Sequence, residues 1–485
     1  MGAMAAAVSK KDENVVDKVV VMLHNLMHRG VDAHGVASPN QVIVSKSMRE
    51  LTDERVASST ALGHNLSHIL PRDCPQPVQG EGFSLVFEGR LFPPPDMSEA
   101  DEVMKRLKIN PQRNAAYVIE KLNGSYTFAI SFPDRVIAGR DTMGTSPLYY
   151  GENETTCAVA SERKALWALE IKNVKSFPPG NLAMINARGF SFQPVKTLKQ
   201  PPLETVQMET ATKRLRDLLL KSMRDRVLDV EEVAVAFSGG LDSSVIAVLA
   251  KICGTNPHLI SVGLQDQPEV RYAEAAAEAL GLPLSLQTYT IDDVEEVLPK
   301  VLWLIEETDV LKVGVAIPFY WTAEIASKLG CNILLTGQGG DELFGGYRRY
   351  LKEYAQSGFL AVQDAMYRDI ASSYETNFQR DNQVCSFHKV ELRLPFADRE
   401  VAHFSLGLPL GMKIDSKNDP LRKRVLRRVA QSLGMPPFIV NKTKKAFQYA
   451  TGVDKALRRL ARRRRVTLRS MLETSFGRVY PNCAE

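Results

Sequence analysis

The chain has 485 residues, which is long for a single hydrophobic core, so two domains are expected. Hydrophobic residues at 44% and charged residues at 24% describe an ordinary soluble globular protein, and no run of about 18 apolar residues is present to span a bilayer. The formal charge is only +5, but it is unevenly placed.

The opening stretch, "MGAMAAAVSKKDENVV", is briefly apolar without a basic region before it, so it is not read as a secretory signal. A myristoylation signal would want Ser or Thr where Ala6 stands, and a cytoplasmic location is expected. Helical stretches are expected at Asn14 to Met27 and at Asp101 to Leu107. Short β-type runs alternate with Gly, Pro and Asn turns around them: "FSLVFEGRLF", "SYTFAISF", "RVIAGRD", "TCAVAS" and "NLAMINARGFSFQPV". This is an α+β pattern, and it fills residues 1–200. "KTLKQPPLETVQMET" has two prolines, polar residues and no periodicity, and is read as a linker to a second domain over residues 201–485.

The second half begins with a helix from about Glu209 to Val227. Four short apolar runs, "EVAVAF", "HLISVGL", "LSLQTYT" and "NILLTG", then alternate with Ala/Glu-rich helices such as "YAEAAAEALG" and "PFYWTAEIASKLG". Such alternation predicts a parallel sheet with helices on both faces and a ligand at the carboxyl ends of the strands. Two Gly-rich turns fall at such ends. The first, Ser238-Gly239-Gly240, leads into an apolar helix whose free N–H groups suit a phosphate. It lacks the lysine of a nucleoside-triphosphatase loop and carries Asp242 at its mouth, followed by Ser243 and Ser244. A carboxylate beside a polyphosphate implies a Mg²⁺ ion between them; the plainer reading is a tight turn with hydroxyl caps. The second turn is "TGQGGDELFGGYRRY" from Thr336, with Gly337, Gln338 and Asp341. Beyond Tyr350 the chain reads as all-helical.

Near the end, "DKALRRLARRRRVTLRS" gathers eight Lys and Arg residues. Such a run could track a nucleic-acid backbone, but no aromatic residues are interleaved to stack bases, and a solvated helix face or frayed tail is the reading preferred. Nucleic acid is therefore not expected as a partner. The six cysteines, Cys74, Cys157, Cys253, Cys331, Cys385 and Cys483, form no C-x-x-C pair and have no histidine at metal spacing. Reduced, structural thiols are expected, and zinc is not.

On these motifs the second half resembles the ATP-pyrophosphatase domain of the asparagine synthetases, over about Glu209 to Val453. "FSGGLDSS" is similar to the family's S-G-G-x-D-S-S loop, and "SVGLQDQPEVRYA" and "IEETDV…IPFYWTAEIA" to the segments after it. "TGQGGDELFGGY" is similar to S-G-E-G-S-D-E-x-F-G-G-Y, "RDNQVCSFHKVELRLPFAD" to the helix ending in E-x-R-x-P-F-x-D, and "KKAFQYATGV" to K-x-x-F-x-x-G-V. The resemblance implies cleavage of ATP between its α- and β-phosphates, an acyl-adenylate on the aspartate side chain, and displacement of AMP by ammonia to form asparagine. It implies phosphate contacts for Ser238, Gly239, Gly240, Ser243 and Ser244, nucleoside contacts for Val262, Thr336 and Gly337, and Mg²⁺ on Asp242 and Asp341. Lys444 would stabilise the charge developing in the transition state. Glu391 and Arg393 read equally as site residues or as a buried ion pair. The resemblance also departs: the motif's glutamate, regarded as the base near the amine step, is Gln338, and an expected arginine aligns with Gly314.

The first half resembles the family's N-terminal-nucleophile glutaminase domain, an α+β sandwich. "MHRGVDAHGVAS", "ALGHNLSHI", "VFEGRLF", "VIAGRDTMGTSPLYYG", "VASERKAL" and "FPPG" follow in the family's order. Its chemistry is eroded. Gly2 stands where the family has its nucleophilic cysteine, and Glu88, before Gly89, replaces the asparagine that donates to the oxyanion. The arginine that anchors the glutamine carboxylate is not found in "LGHNLSHI". An ATP- and Mg²⁺-dependent ligase that takes aspartate and free ammonia is thus expected, with an inactive glutaminase-like domain. Amidation or cyclisation of another acceptor, as in the β-lactam synthetases, stays open, as does a non-catalytic or tRNA-binding protein using the basic run. A homodimer is compatible with the sequence.

Overall fold

The structure is a computed structural model and describes residues 2–51, 56–265, 267–444 and 447–481. Cys483 and part of the "KKAFQYATGV" segment, Lys445 and Ala446, lie outside the described residues. The chain divides into two compact units, Met1–Thr197 and Leu198–Glu485.

The first unit contains two antiparallel sheets. One runs in the order Lys175–Ser176, Tyr149–Glu152, Thr156–Ala160, Gly2–Ser9, Thr60–Leu66, Ala33–Ala37, Val42–Ser45. The other runs Gly189–Pro194, Asn181–Asn186, Arg135–Arg140, Gly124–Phe132, Ser84–Leu91, Val78–Gln79. Side chains alternate between faces along each strand, which builds the layers. Met4, Ala6 and Val8 pack with Val86, Ala129 and Ala138 in the core between the sheets. Ala3, Ala5 and Ala7 face the helix Val16–Asn25 through Val16, Val19 and Leu23. On the other side Leu85, Phe128 and Ile130 pack on the helices Glu99–Leu107 and Pro111–Lys121. The order is helix, sheet, sheet, helix.

Two of these elements differ from the sequence expectation. The alanine-rich strand Gly2–Ser9 was not expected, because Ala and Gly disfavour strands; it forms here with all eight residues buried, where small side chains suit close packing on both faces. The helix Pro111–Lys121 was also not expected, although Asn110 caps it by accepting from the Arg113 N–H and Pro111 opens it.

The second unit is built on a five-stranded parallel sheet in the order Leu284–Tyr289, Asn256–Leu264, Glu232–Ala236, Ile333–Leu335, Glu391–Arg393. The chain starts in the middle, fills one side, then returns to lay Ile333–Leu335 against the first strand. That places a change of winding direction between Glu232–Ala236 and Ile333–Leu335, where doubly wound sheets open a crevice at their carboxyl ends. The fifth strand corrects the all-helical reading beyond Tyr350: Glu391–Arg393 pairs with Ile333–Leu335, and at three residues it is too short to show a pattern. The helix expected from "PFYW" onward begins earlier, spanning Val310–Lys328 with Asp309 as its cap and Pro318 inside it. Among the described residues no helix is long and apolar enough to cross a membrane.

Candidate functional site: two turns and an ion clasp at the sheet crevice

Both Gly-rich turns leave the two strands that flank the crevice. After Glu232–Ala236, the turn Ser238-Gly239-Gly240 enters the helix Leu241–Ile252, with Gly240 as its N-cap residue. Gly239 sits at φ +66°, and a Cβ there would stand 2.9 Å from Tyr272, so the turn requires glycine. The turn is braced from within: Ser243 Oγ accepts from the Ser238 N–H at 3.3 Å and donates to the Gly240 carbonyl at 3.2 Å. Ser244 is fully buried, and its Oγ has no hydrogen-bond partner. The second turn follows Ile333–Leu335 and carries Asp341 into the helix Gly340–Phe344. The two turns touch, since a Cβ on Gly337 would lie 2.9 Å from Asp242 Cβ.

That contact brings Asp242 and Asp341 onto common partners. Lys423 Nζ lies 2.5 Å from Asp242 Oδ2 and 2.6 Å from Asp341 Oδ1, and Lys444 Nζ lies 2.7 Å from Asp341 Oδ2 and 3.9 Å from Asp242 Oδ2. Burial works against a charge on Asp341, but Lys423 and Lys444 outweigh it and hold the carboxyl well below the usual range. Burial likewise works against Lys444, and the two carboxylates hold it above the usual lysine range.

Lys423 was not singled out by sequence reasoning, since nothing in "LRKRVLRR" separates it from its neighbours. Its placement comes from the loop before it. The Asp419 carboxylate accepts from the N–H groups of Asp415, Leu421 and Arg422 at 2.9 Å each. Arg422 and Lys423 are then both left-handed, at φ +52° and +53°. That conformation costs roughly 1–2 kcal/mol per non-glycine residue, and here it turns the Lys423 side chain inward to 2% exposure.

A cavity of about 50 Å³ beside the clasp is lined by Ser238, Gly240, Asp242, Lys423, Arg427 and Lys444, among others. Val262, Thr336 and Gly337 do not line it; Val262 and Thr336 are buried at the carboxyl ends of their strands. Gly314 is buried within the helix Val310–Lys328. Glu391 and Arg393 form a buried ion pair at 2.6 Å, with Asp229 as a third member 2.7 Å from Arg393. The basic run begins on the helix Val453–Arg463, which buries Ala456, Leu457, Leu460 and Ala461, and continues past it to Arg469 on the helix Leu468–Val479. Three of its arginines pair with Asp454, Asp292 and Glu295.

In the first unit, Gly2 and Glu88 also meet. The Gly2 N–H donates to Glu88 Oε1 at 2.8 Å, and His64 Nε2 lies 3.1 Å from Glu88 Oε2. Burial would raise Glu88, yet the His64 hydrogen bond and neighbouring positive charge bring it down to about 2. A Cβ on Gly2 would stand 1.7 Å from the Asn65 carbonyl oxygen, and one on Gly89 2.1 Å from that of Ser125. The space beside them is only about 20 Å³ and is bounded by Asp73, Arg90 and Glu99. Arg90 pairs with both of these acids.

The sequence matches the asparagine synthase family over residues 214–361 and 352–482, more than half of the chain. The chain belongs to the asparagine synthase family. Residues 65–168 match a glutamine amidotransferase domain. A Methanocaldococcus jannaschii protein that carries the asparagine synthetase (glutamine-hydrolysing) name is 29% identical over 93% of this chain and 94% of its own. The asparagine synthetase of Asparagus officinalis is 24% identical over 96% of this chain and 79% of its own, and asparagine synthetase B of Escherichia coli 24% over 91% and 81%. Membership of the asparagine synthase family makes the chain a carbon–nitrogen ligase of the asparagine synthetase type, and that family uses ATP. The sandwich and parallel-sheet units have the fold classes expected from the sequence.

Proposed function

We propose that the second unit adenylates a carboxylate, the aspartate side chain, and passes it to ammonia, releasing pyrophosphate and AMP. The observation that carries this reading is the clasp of Lys423 and Lys444 on Asp242 and Asp341, beside a Gly-rich turn at the crevice of a parallel sheet. The turn's N–H groups and Ser238 would hold phosphate oxygens, helped by the helix dipole. Val262, Thr336 and Gly337 would border the nucleoside. Lys444, 29% exposed and fully charged, is poised to meet the negative charge that grows as the α–β bond breaks.

Magnesium fits the donor set. Asp242 Oδ1 is buried and accepts no hydrogen bond, and among the described residues no group of three or more His, Cys, Asp or Glu could hold a metal. Two carboxylates with substrate phosphates and water completing the shell is the usual Mg²⁺ arrangement. Asp242 and Asp341 would hold the ion, which when bound neutralises charge on the departing pyrophosphate.

The nitrogen source in this reading is free ammonia. Gly2 has no thiol and no room for a Cβ, and Glu88 presents an acceptor where an oxyanion needs a donor. The adjoining space is closed by the protein's own ion pairs. A cytoplasmic location belongs to the same reading, supported by the five described cysteines, all of them free thiols. The test is ATP–pyrophosphate exchange and AMP release with aspartate and other carboxylates, with ammonia or glutamine as nitrogen donor. Exchange dependent on aspartate and amide made only from ammonia is the expected result. Silence with every carboxylate would refute adenylation.

A further inference from the structure

The turn from Thr336 carries an amide, Gln338, where the resemblance supplies a carboxylate. The structure puts a carboxylate directly behind it. Gln338 Nε2 donates to Asp381 Oδ2 at 2.6 Å, and Asp381 Oδ1 accepts from Arg380 Nε at 2.7 Å. Asp381 lies on the helix Gln379–Phe387 and is fully buried, whereas Gln338 is half-buried in the turn that leads to Asp341.

A primary amide has one donor end and one acceptor end. One N–H of the side-chain amide is committed to Asp381, and a carboxylate repels the amide's carbonyl oxygen, so the acceptor end of Gln338 is turned away from Asp381. We infer that Asp381 is a positioning residue for the amine step: it fixes Gln338 so that the amide oxygen accepts an N–H of incoming ammonia and aims the nitrogen lone pair at the activated carbonyl. The inference rests on the adenylation reading above.

The step balances without a base at residue 338. The C–N bond forms, the bond from the carbonyl carbon to the AMP phosphate oxygen breaks, and AMP leaves with the electron pair. The one proton lost by nitrogen goes to the departing phosphate or to water, since an amide takes none at neutral pH. A fixed acceptor dipole costs no reorganisation during the reaction, and that is its advantage over solvent. Burial raises Asp381 against the opposing pull of Arg380 and Gln338. A buried carboxylate of this kind is expensive for packing alone.

The test uses the full chain and measures carboxylate-dependent ATP–pyrophosphate exchange separately from amide formation with ammonia. Asp381→Asn frees the Gln338 amide to flip, and amide formation should fall at least about tenfold with a raised KM for ammonia, while exchange stays within about twofold. Gln338→Met, at a half-buried turn, should give the same selective loss without touching the buried pair, and it decides the matter should Asp381→Asn fail to fold. Gln338→Glu alone sets two carboxylates in contact and should also lose amide formation. The double variant Gln338→Glu/Asp381→Asn re-forms the hydrogen bond with its polarity reversed. It should recover most of the amide formation, now with a new acid limb in the pH profile from the introduced carboxyl. Amide formation unchanged in Gln338→Met, or exchange and amide formation falling together, overturns the inference alone. No exchange in the wild type overturns the adenylation reading and this inference with it.

Discussion

Asp242 and Asp341 leave two different strand-to-helix turns and close on one ammonium group, Lys423 Nζ, at 2.5 and 2.6 Å. At 2% exposure this lysine is deeply placed, and removing one partner of a buried ionic network usually costs about 3–5 kcal/mol. Lys423→Ala is expected to lower the urea midpoint of the second unit accordingly. An unchanged midpoint would show that the clasp contributes nothing to folding.

Lys444 reaches the same carboxylates from a less buried position, and its charge should matter more as pyrophosphate departs than in the ground state. Lys444→Ala should reduce turnover by at least about a hundredfold with little change in ATP affinity. A raised KM with turnover intact would mean that it only binds substrate. Asp242→Asn should abolish adenylate formation as well. Asp242 is also only 14% exposed and is paired with Lys423. A stability loss of about 1–3 kcal/mol is therefore expected beside the loss of activity.

Introducing the missing nucleophile should not create a glutaminase. In Gly2→Cys the new Cβ would meet the Asn65 carbonyl at 1.7 Å, so the strand Gly2–Ser9 must shift, and Glu88 would still oppose an oxyanion. Glutamate release from glutamine should remain at background in this variant and in the wild type. Release that matches amide formation in the wild type would show that another residue supplies the nucleophile.

Glu88 also links the first unit's stability to pH. Its carboxyl is held at about 2 in the folded state against an ordinary 4.5, so the stabilisation, of order 3 kcal/mol, is fully present above about pH 4.5. It is lost as the pH falls toward 2. Glu88→Gln should flatten the fall in melting temperature over that window, measured by scanning calorimetry. An identical acid limb in the two proteins would remove Glu88 from the linkage.

What could be read beforehand was local, and what could not was carried by distance. The turns Ser238-Gly239-Gly240 and Gly337-Gln338 announce themselves because glycines, acids and flanking apolar runs lie within a few residues of one another. Lys423 is invisible in the sequence because its role depends on two left-handed residues and on Asp419 gathering three backbone N–H groups. The strand Gly2–Ser9 was missed for a related reason: an alanine run has little strand propensity, and only the partners Thr60–Leu66 and Thr156–Ala160, far along the chain, give it a place. Asp381 looked like any helical aspartate until the fold set it behind Gln338.

The clasp has a consequence for the order in which cargo can arrive. Two acids matched by two lysines leave no surplus negative charge at the mouth of the crevice, so a lone divalent cation gains little by entering and would have to evict an ammonium to do so. A nucleotide that brings the ion already bound to its phosphates faces no such toll, because its anionic groups give the displaced lysines new partners. Titration calorimetry should find weak uptake of magnesium alone, tighter uptake once Lys423→Ala removes one of the cations, and the metal entering the intact protein as a passenger of the nucleotide. Tight binding of the bare ion to the wild type would show that the lysines yield their places freely.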